Sequence, residues 1–414
     1  MFDIRAAAEG VLDDVIQDRR ALHRCPEVGF ATPDTAAYVG RALDGMGIVW
    51  RPCGGAIPQE TIDLYERGGY GHYEETTGIV ATIGSGSPCI LLRADMDALP
   101  MDEETGLPFS SERAGAMHAC GHDAHTAMLL GAARILKEHE AELPGTVKLM
   151  FQPGEEMGMG SALMMRDGLL ENPRVDAAFA LHVMPDKPLG QVFYAPGAST
   201  SSMDCWTITV RGRGGHSSQP QLTIDPNMIA TQIYTQLNLL FTREADPSKM
   251  VTFSIGALAG GTLTNIIPDE AVLQANMRTL STPDRNHLLA RVPEMAECIA
   301  RAWRGTCDID LIEMPTTEND PQFLPEAIEF IGGVLGEDAV HRCEPMAGSE
   351  DFSYVSQAVP SAFVQLGAGA PGWAPVHNSK MVLDESALAC GVAAHVAVAL
   401  GWLRRHAGDP DPKE

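Results

Sequence analysis

Apolar positions recur at helical spacing from the start of the chain, where Ile4, Ala8, Val11, Leu12, Ile16 and Leu22 predict one helix over 3–24. A second helix starts at Thr32-Pro33-Asp34 and runs to about Met46. Short, continuous apolar runs follow at 78–83, 89–93, 146–151 and 177–183, with helical patterns at 124–139 and 161–168 between several of them. Short buried strands alternating with helices predict an α/β layered domain with a largely parallel sheet.

From about residue 198 the pattern changes. Residues 205–211 alternate like a half-buried strand, and 224–240 reads as a helix with Pro226 in its first turn. Strands at 251–258 and 271–280, a helix at 285–303 and a strand at 308–314 complete a β-α-β-β-α-β order, a compact arrangement of one sheet and two helices. After 314 the α/β pattern resumes, with a helix near 325–335, a strand at 361–366 and a helix at 385–406. The chain therefore reads as a small domain inserted into a larger one. Residues 53–77, rich in glycine and polar groups with three tyrosines and His72, read as a solvent-exposed loop or as a loop that shapes a pocket.

At 414 residues, 45% of them hydrophobic, the chain is too long for one ordinary domain and can bury a sizeable core. Its 29 Lys+Arg against 55 Asp+Glu give a net charge of −26. A field of that sign repels phosphate backbones and anionic lipid, which argues against nucleic-acid and membrane-surface partners. No apolar run is expected to reach the roughly 18–20 residues of a membrane helix. The first 24 residues carry acids every few positions, unlike a secretory signal. Nine cysteines, an odd number without a CxxC, read as thiols of a reducing compartment and hence a cytoplasmic protein.

Candidate chemistry is densest at Met117-His118-Ala119-Cys120-Gly121-His122-Asp123-Ala124-His125. Thiolate and imidazole are standard ligands for zinc and related metals, and Gly121 lets the backbone bend so that Cys120 and His122 face one point. At Phe151-Gln152-Pro153-Gly154-Glu155-Glu156, one carboxylate can bind a metal while its neighbour takes a proton from water. Asp95 and Asp97 end an apolar strand, where ligands bind in open α/β sheets; they are candidate ligands or partners that orient a ligating imidazole. His182 and His377 are weak signals singly. Met159, Met184, Met203 and Phe352 are candidates for an apolar pocket or for core.

These segments, with GRGGHSSQP (212–220), GTLTNIIPDEA (261–271), AGSEDFSYV (347–355) and PVHN (375–378), resemble one family. It is the metal-dependent N-acyl-amino-acid amidohydrolases, the hippurate and indole-acetyl-amino-acid hydrolase branch of the aminoacylase–carboxypeptidase superfamily. The resemblance implies a two-domain metallo-aminoacylase fold. Its α/β catalytic domain would span about 1–197 and 315–414, and a satellite domain for lid and dimer contacts about 198–314. It implies two divalent ions, zinc or manganese with cobalt or nickel as alternatives, held by Cys120, His122, Glu156, His182 and His377. Glu155 would be the general base in amide hydrolysis. His216 would stabilise the oxyanion in the active site of a partner subunit, and Arg278 with Asn265 would bind the substrate carboxylate. Asp95, Asp97 and His125 are left to orient the ligands. The 53–77 segment is longer than the family pattern. The implied substrate is an N-acyl-L-amino acid with an acetyl, benzoyl or aryl-acetyl group, and the implied assembly is a homodimer. A dipeptidase or carboxypeptidase with the same dinuclear chemistry, or a metal-binding protein without turnover, are the alternatives.

Overall fold

In the computed structural model, which describes residues 2–69 and 71–408, the chain opens with two helices, α1 (Ile4–Gly10) and α2 (Leu12–Arg24). The single helix expected over 3–24 is broken after Gly10, a poor helix former, and Val11 has left the helical region with φ −100° and ψ 1°. Helix α3 (Pro33–Gly45) begins on a proline, whose missing N–H costs nothing at a helix start. Strands β1 (Val49–Pro52) and β2 (Gly55–Ala56), helix α4 (Gln59–Gly68) and strand β3 (Glu75–Thr76) follow. The stretch 53–77 is thus not an exposed loop. It holds a helix that buries Thr61, Ile62 and Tyr65 along one face and stops at Gly69, where φ is +80°.

The α/β pattern continues through β4 (Ile79–Gly84), β5 (Cys89–Asp95), α5 (His122–Glu138), β6 (Thr146–Gln152), α6 (Gly160–Arg166), β7 (Ala177–Pro188), β8 (Val192–Tyr194) and β9 (Gly197–Thr200). The inserted unit contains β10 (Met203–Arg211), β11 (Gly215–His216), α7 (Pro226–Glu244), β12 (Val251–Ala259), β13 (Ile266–Ile267), β14 (Glu270–Thr279), α8 (Thr282–Ala302) and β15 (Thr306–Met314). The chain then returns through β16 (Thr317–Asn319), α9 (Phe323–Leu335), β17 (Val340–Arg342), α10 (Ser353–Ser356), β18 (Ser361–Gly369) and α11 (Leu388–His406).

The large sheet has the order β1-β4-β6-β5-β7-β18-β8-β17. Its centre, β6-β5-β7-β18, is parallel, as expected; the neighbouring pairings β1/β4, β4/β6 and β18/β8 are antiparallel. Every residue of β5 and β6 is buried, because helices and loops cover both faces. One core lies between the sheet and α2, α5, α9 and α11, and another lies on the opposite face, around Phe352, Phe363 and Met164. The inserted unit is a four-stranded antiparallel sheet, order β12-β14-β10-β15. Its strand β10 buries alternate residues beneath α7 and α8. The protein is therefore a two-domain α/β molecule with a βαββαβ satellite.

One expectation needs correcting. The stretch Glu385–His406 is long and apolar enough to cross a membrane by composition, but 83% of its apolar window is buried, and α11 packs on α5, α9 and α1.

Helix α5 is seated through Gly131, where an added Cβ would lie 2.5 Å from Val15 in α2 and 2.9 Å from Val392 in α11. Replacing Gly131 with valine overpacks this junction, and we expect a loss of about 1–3 kcal/mol in stability, read as a lower midpoint in denaturant unfolding. An unchanged midpoint would show that the three helices are not in close contact.

Candidate metal centre

Parallel strands end at a common edge, and here that edge assembles the chemistry. β5 delivers Asp95 opposite Gln152, the last residue of β6, while β7 carries His182. α5 starts at His122 on the same side. Gly121, which caps its N-terminus, has φ +86°, and a side chain there would strike Val183 at 2.4 Å. Glycine is thus required at the bend that turns Cys120 and His122 toward one point. The loop after β18 returns to place His377, whose backbone N–H donates to Ala119 O at 2.8 Å.

Donor atoms of Cys120, His122 and His182 lie within 4.8 Å of one another, as do those of Cys120, Glu156 and His377, and those of His122, Glu155 and Glu156. The five expected ligands and Glu155 therefore converge. His182 Nδ1 donates to Val183 O at 2.7 Å, which leaves Nε2 unprotonated and 3.4 Å from Cys120 Sγ. His377 Nε2 is 3.3 Å from Glu156 Oε1. Among the described residues, neither nitrogen of buried His122 has a hydrogen-bond partner, although Asp97 and Asp95 stand 3.4 and 3.6 Å away. A buried ring without partners, among thiol, imidazole and carboxylate donors, fits divalent cations.

The acids behind these donors hold them in place. Asp97 accepts the N–H groups of Glu155 (3.0 Å) and Glu156 (3.1 Å), fixing the turn that carries both carboxylates. His125 donates from Nδ1 to Asp95 at 2.6 Å and accepts Val183 N–H at Nε2 (2.8 Å). Asp95, His122 and His125 also come together, but both His125 nitrogens are already engaged, by Asp95 and by Val183 N–H.

Burial and then the carboxylates of Glu156, Glu155 and Asp95 push the Cys120 thiol well up. Burial, then Glu350, Glu156 and Asp351, likewise push the Glu155 carboxyl well above its usual range. Burial opposes a charged His122, but Asp95, Asp97 and Glu156 outweigh it and hold the ring at about 10. A local field this negative favours bound cations.

Arg278 reaches the neighbourhood of the site: its Nη1 donates to Ser349 Oγ at 3.1 Å, beside Glu350 and Asp351. His216, in β11, and Asn265, just before its partner strand β13, are exposed. Ser217 N–H donates to Asn265 O at 3.1 Å, and Ser218 Oγ lies 2.8 Å from His216 Nδ1; neither side chain belongs to the donor groups. Phe352 is fully buried core and not a pocket wall, whereas Met159, Met184 and Met203 are half-buried.

His118 and Asp123, from the same motif, stand apart from the donors. Among the described residues, neither ring nitrogen of buried His118 has a hydrogen-bond partner, and burial lowers it to about 3. Asp123 turns away from the donors to meet Arg19 Nε (3.1 Å) and His23 Nδ1 (2.8 Å). Sequence reasoning left several other groups unassigned. Buried Arg93 pairs with Asp95 at 2.7 Å, Glu350 at 2.7 Å and Asp351 at 3.3 Å, and Glu155, Glu350 and Asp351 form a further carboxylate group. The signal was present in the charged residues of RADMDALP and AGSEDFSYV, but nothing local says that they meet.

Burial disfavours a charged His23, yet Asp123 and Glu103 raise it from 6.5 to about 9. A raised folded-state value stabilises the protein below the unfolded value and loses that contribution as pH rises through the folded one. Between pH 6.5 and 9 the wild type should therefore lose more unfolding free energy than the His23→Gln variant. Parallel urea-derived stability curves for the two proteins would refute this assignment.

The model of peptidase family M20/M25/M40 matches residues 91–401. The chain is 35% identical to the IAA-amino acid hydrolase ILR1-like 4 of Arabidopsis thaliana, over 94% of this chain and 86% of that protein. It is 34% identical to thermostable carboxypeptidase 1 of Saccharolobus solfataricus, over 94% and 95% of the two chains. Among solved structures it is similar to the Bacillus subtilis YXEP protein, described as a dinuclear metal binding peptidase, with a TM-score of 0.76, 30% identity and coverage of 96% and 99%. The match spans the converging donors and both domains, and the chain belongs to peptidase family M20/M25/M40, with the hippurate and indole-acetyl-amino-acid hydrolase branch.

Proposed function

We propose that the protein hydrolyses the amide bond of N-acyl-L-amino acids carrying acetyl, benzoyl or aryl-acetyl groups, releasing the acid and the free amino acid. The observation that carries this reading is the buried Glu155 carboxyl beside five converging metal donors. Cys120, His122, Glu156, His182 and His377 would hold two divalent ions, zinc or manganese on the softness of the donors, with cobalt or nickel also accepted. Bound there, such ions supply Lewis acidity toward an acyl oxygen and acidify water.

Glu155, poised by burial and its neighbouring acids, accepts a proton from the attacking water at its carboxylate and returns it to the leaving amine nitrogen. Asp97 keeps that carboxylate in register through the turn's N–H groups. Arg278 offers a guanidinium fork for the amino acid carboxylate, with Asn265 as its polar companion. His216 donates to the acyl oxygen as negative charge develops. Because His216 and Asn265 are exposed and apart from the donors of their own chain, we propose that they act in the active site of a second copy, in a two-fold dimer. The nine cysteines, all free, suit a cytoplasmic location. The similarity to a carboxypeptidase favours, as a second reading, cleavage of dipeptides or C-terminal residues by the same groups.

A panel of N-acetyl, hippuryl and indole-acetyl amino acids and dipeptides, scored by amine released after metal removal and reconstitution, separates the two readings. Release that requires a free α-amino group would favour the peptidase. Glu155→Gln should lower turnover by about 10²- to 10⁴-fold with metal content unchanged; full activity in this variant would refute the assignment of the base. Glu155→Gln and His216→Ala chains, each nearly inactive, should regain about a quarter of wild-type activity when mixed and re-paired at random as two-fold dimers. No recovery in demonstrably mixed dimers would place His216 outside the partner's site.

A further inference from the structure

Helix α4 touches both domains. Ile62 and Tyr65 on its buried face join Phe30, Ile57, Leu163 and the satellite residue Ile312 in one apolar cluster. Phe30 packs against Gly154, where an added Cβ would be 2.3 Å from its ring, and Tyr65 meets Phe30 edge-on at 5.5 Å. The Tyr65 hydroxyl donates to Met157 O at 2.6 Å. The turn bearing Glu155 and Glu156 is therefore held twice, by Asp97 through N–H groups at its start and by Tyr65 through a carbonyl two residues past Glu155.

The same helix reaches the satellite. Arg67 donates to both carboxylate oxygens of Asp310, at 3.0 Å each, on strand β15. Ile312, two residues along and on the same face of β15, is buried in the α4 cluster. Cation and anion meet in a forked geometry at one end of α4, and the tyrosine contacts the catalytic turn near its middle.

We propose that α4 is a strut between the satellite sheet and the Glu155–Glu156 turn, with Tyr65 a positioning residue for Glu155 and Arg67 the satellite anchor. The consequence for turnover rests on the hydrolase reading above; the strut itself does not. Removing the hydroxyl that donates to Met157 O while keeping the ring, Tyr65→Phe should speed amide hydrogen exchange across residues 155–160 about tenfold, measured on the whole chain as isolated. If the protein is the proposed hydrolase, kcat should fall by about tenfold with KM within about twofold, the pattern of a group that acts in the transition state through another residue. Arg67→Asp should also speed exchange at the turn, and Arg67→Asp combined with Asp310→Arg should restore it. Unchanged exchange in Tyr65→Phe would overturn the strut, and failure of the charge swap to restore protection would overturn the link to the satellite. Because exchange needs no substrate, a wild type that cleaves nothing on the panel would refute the hydrolase reading and leave the strut to be judged by exchange.

Discussion

Six carboxylates crowd the C-terminal edge of the central strands, Asp95, Asp97, Glu155, Glu156, Glu350 and Asp351, and the fold must keep them together out of water. Buried charges of one sign are tolerated only when opposite charges and hydrogen bonds accompany them. Arg93 performs that task from the middle of β5, contacting Asp95, Glu350, Asp351 and Gln152 from a fully buried position. By gathering residues from β5, β6 and the loop before α10, this one guanidinium ties distant parts of the chain to the edge where Cys120 and His122 arrive. Burial and the negative field left over push the Cys120 thiol and Glu155 up, and the same field raises His122 against its burial; a bound cation would offset that field.

The satellite completes this arrangement from outside. Arg278 comes from its sheet to meet Ser349, next to the two acids that Arg93 neutralises. In the proposed reaction a substrate carboxylate arriving there would meet this guanidinium. His216 and Asn265 are exposed and lie outside the donor groups of their own chain, and in the proposed dimer they would complete the site of the second copy. Specificity would then depend on how two surfaces meet as much as on pocket shape.

Much of this was legible in the sequence because its signals are local. The Cys-Gly-His bend, the apolar runs of β5 and β6, and the alternation of β10 each lie within ten residues, where periodicity and ligand chemistry speak directly. The long-range pairs were not legible: Arg93 with Glu350, and His23 with Asp123, join segments about a hundred or more residues apart, and no local pattern encodes their meeting. Helix α4 was missed because glycines and polar residues outnumber the few apolar positions on its buried face. The short outer strands β8 and β17 are three residues long, too brief for alternation to register. At the first helix, one glycine decided the outcome against a continuous apolar stripe.

The satellite leaves and rejoins the larger domain through a narrow neck, where β9 pairs with β16 and Thr200 lies beside Thr317. All four strands of the satellite sheet lie between these points, so its core can form from one continuous stretch of chain. The larger domain has no such freedom, because α1 and α5 need α11, which comes after the satellite. During synthesis the insert can finish folding while the metal-binding half still waits for its closing helix. In that order the donors would come to rest last, on a scaffold whose outer wall is already built.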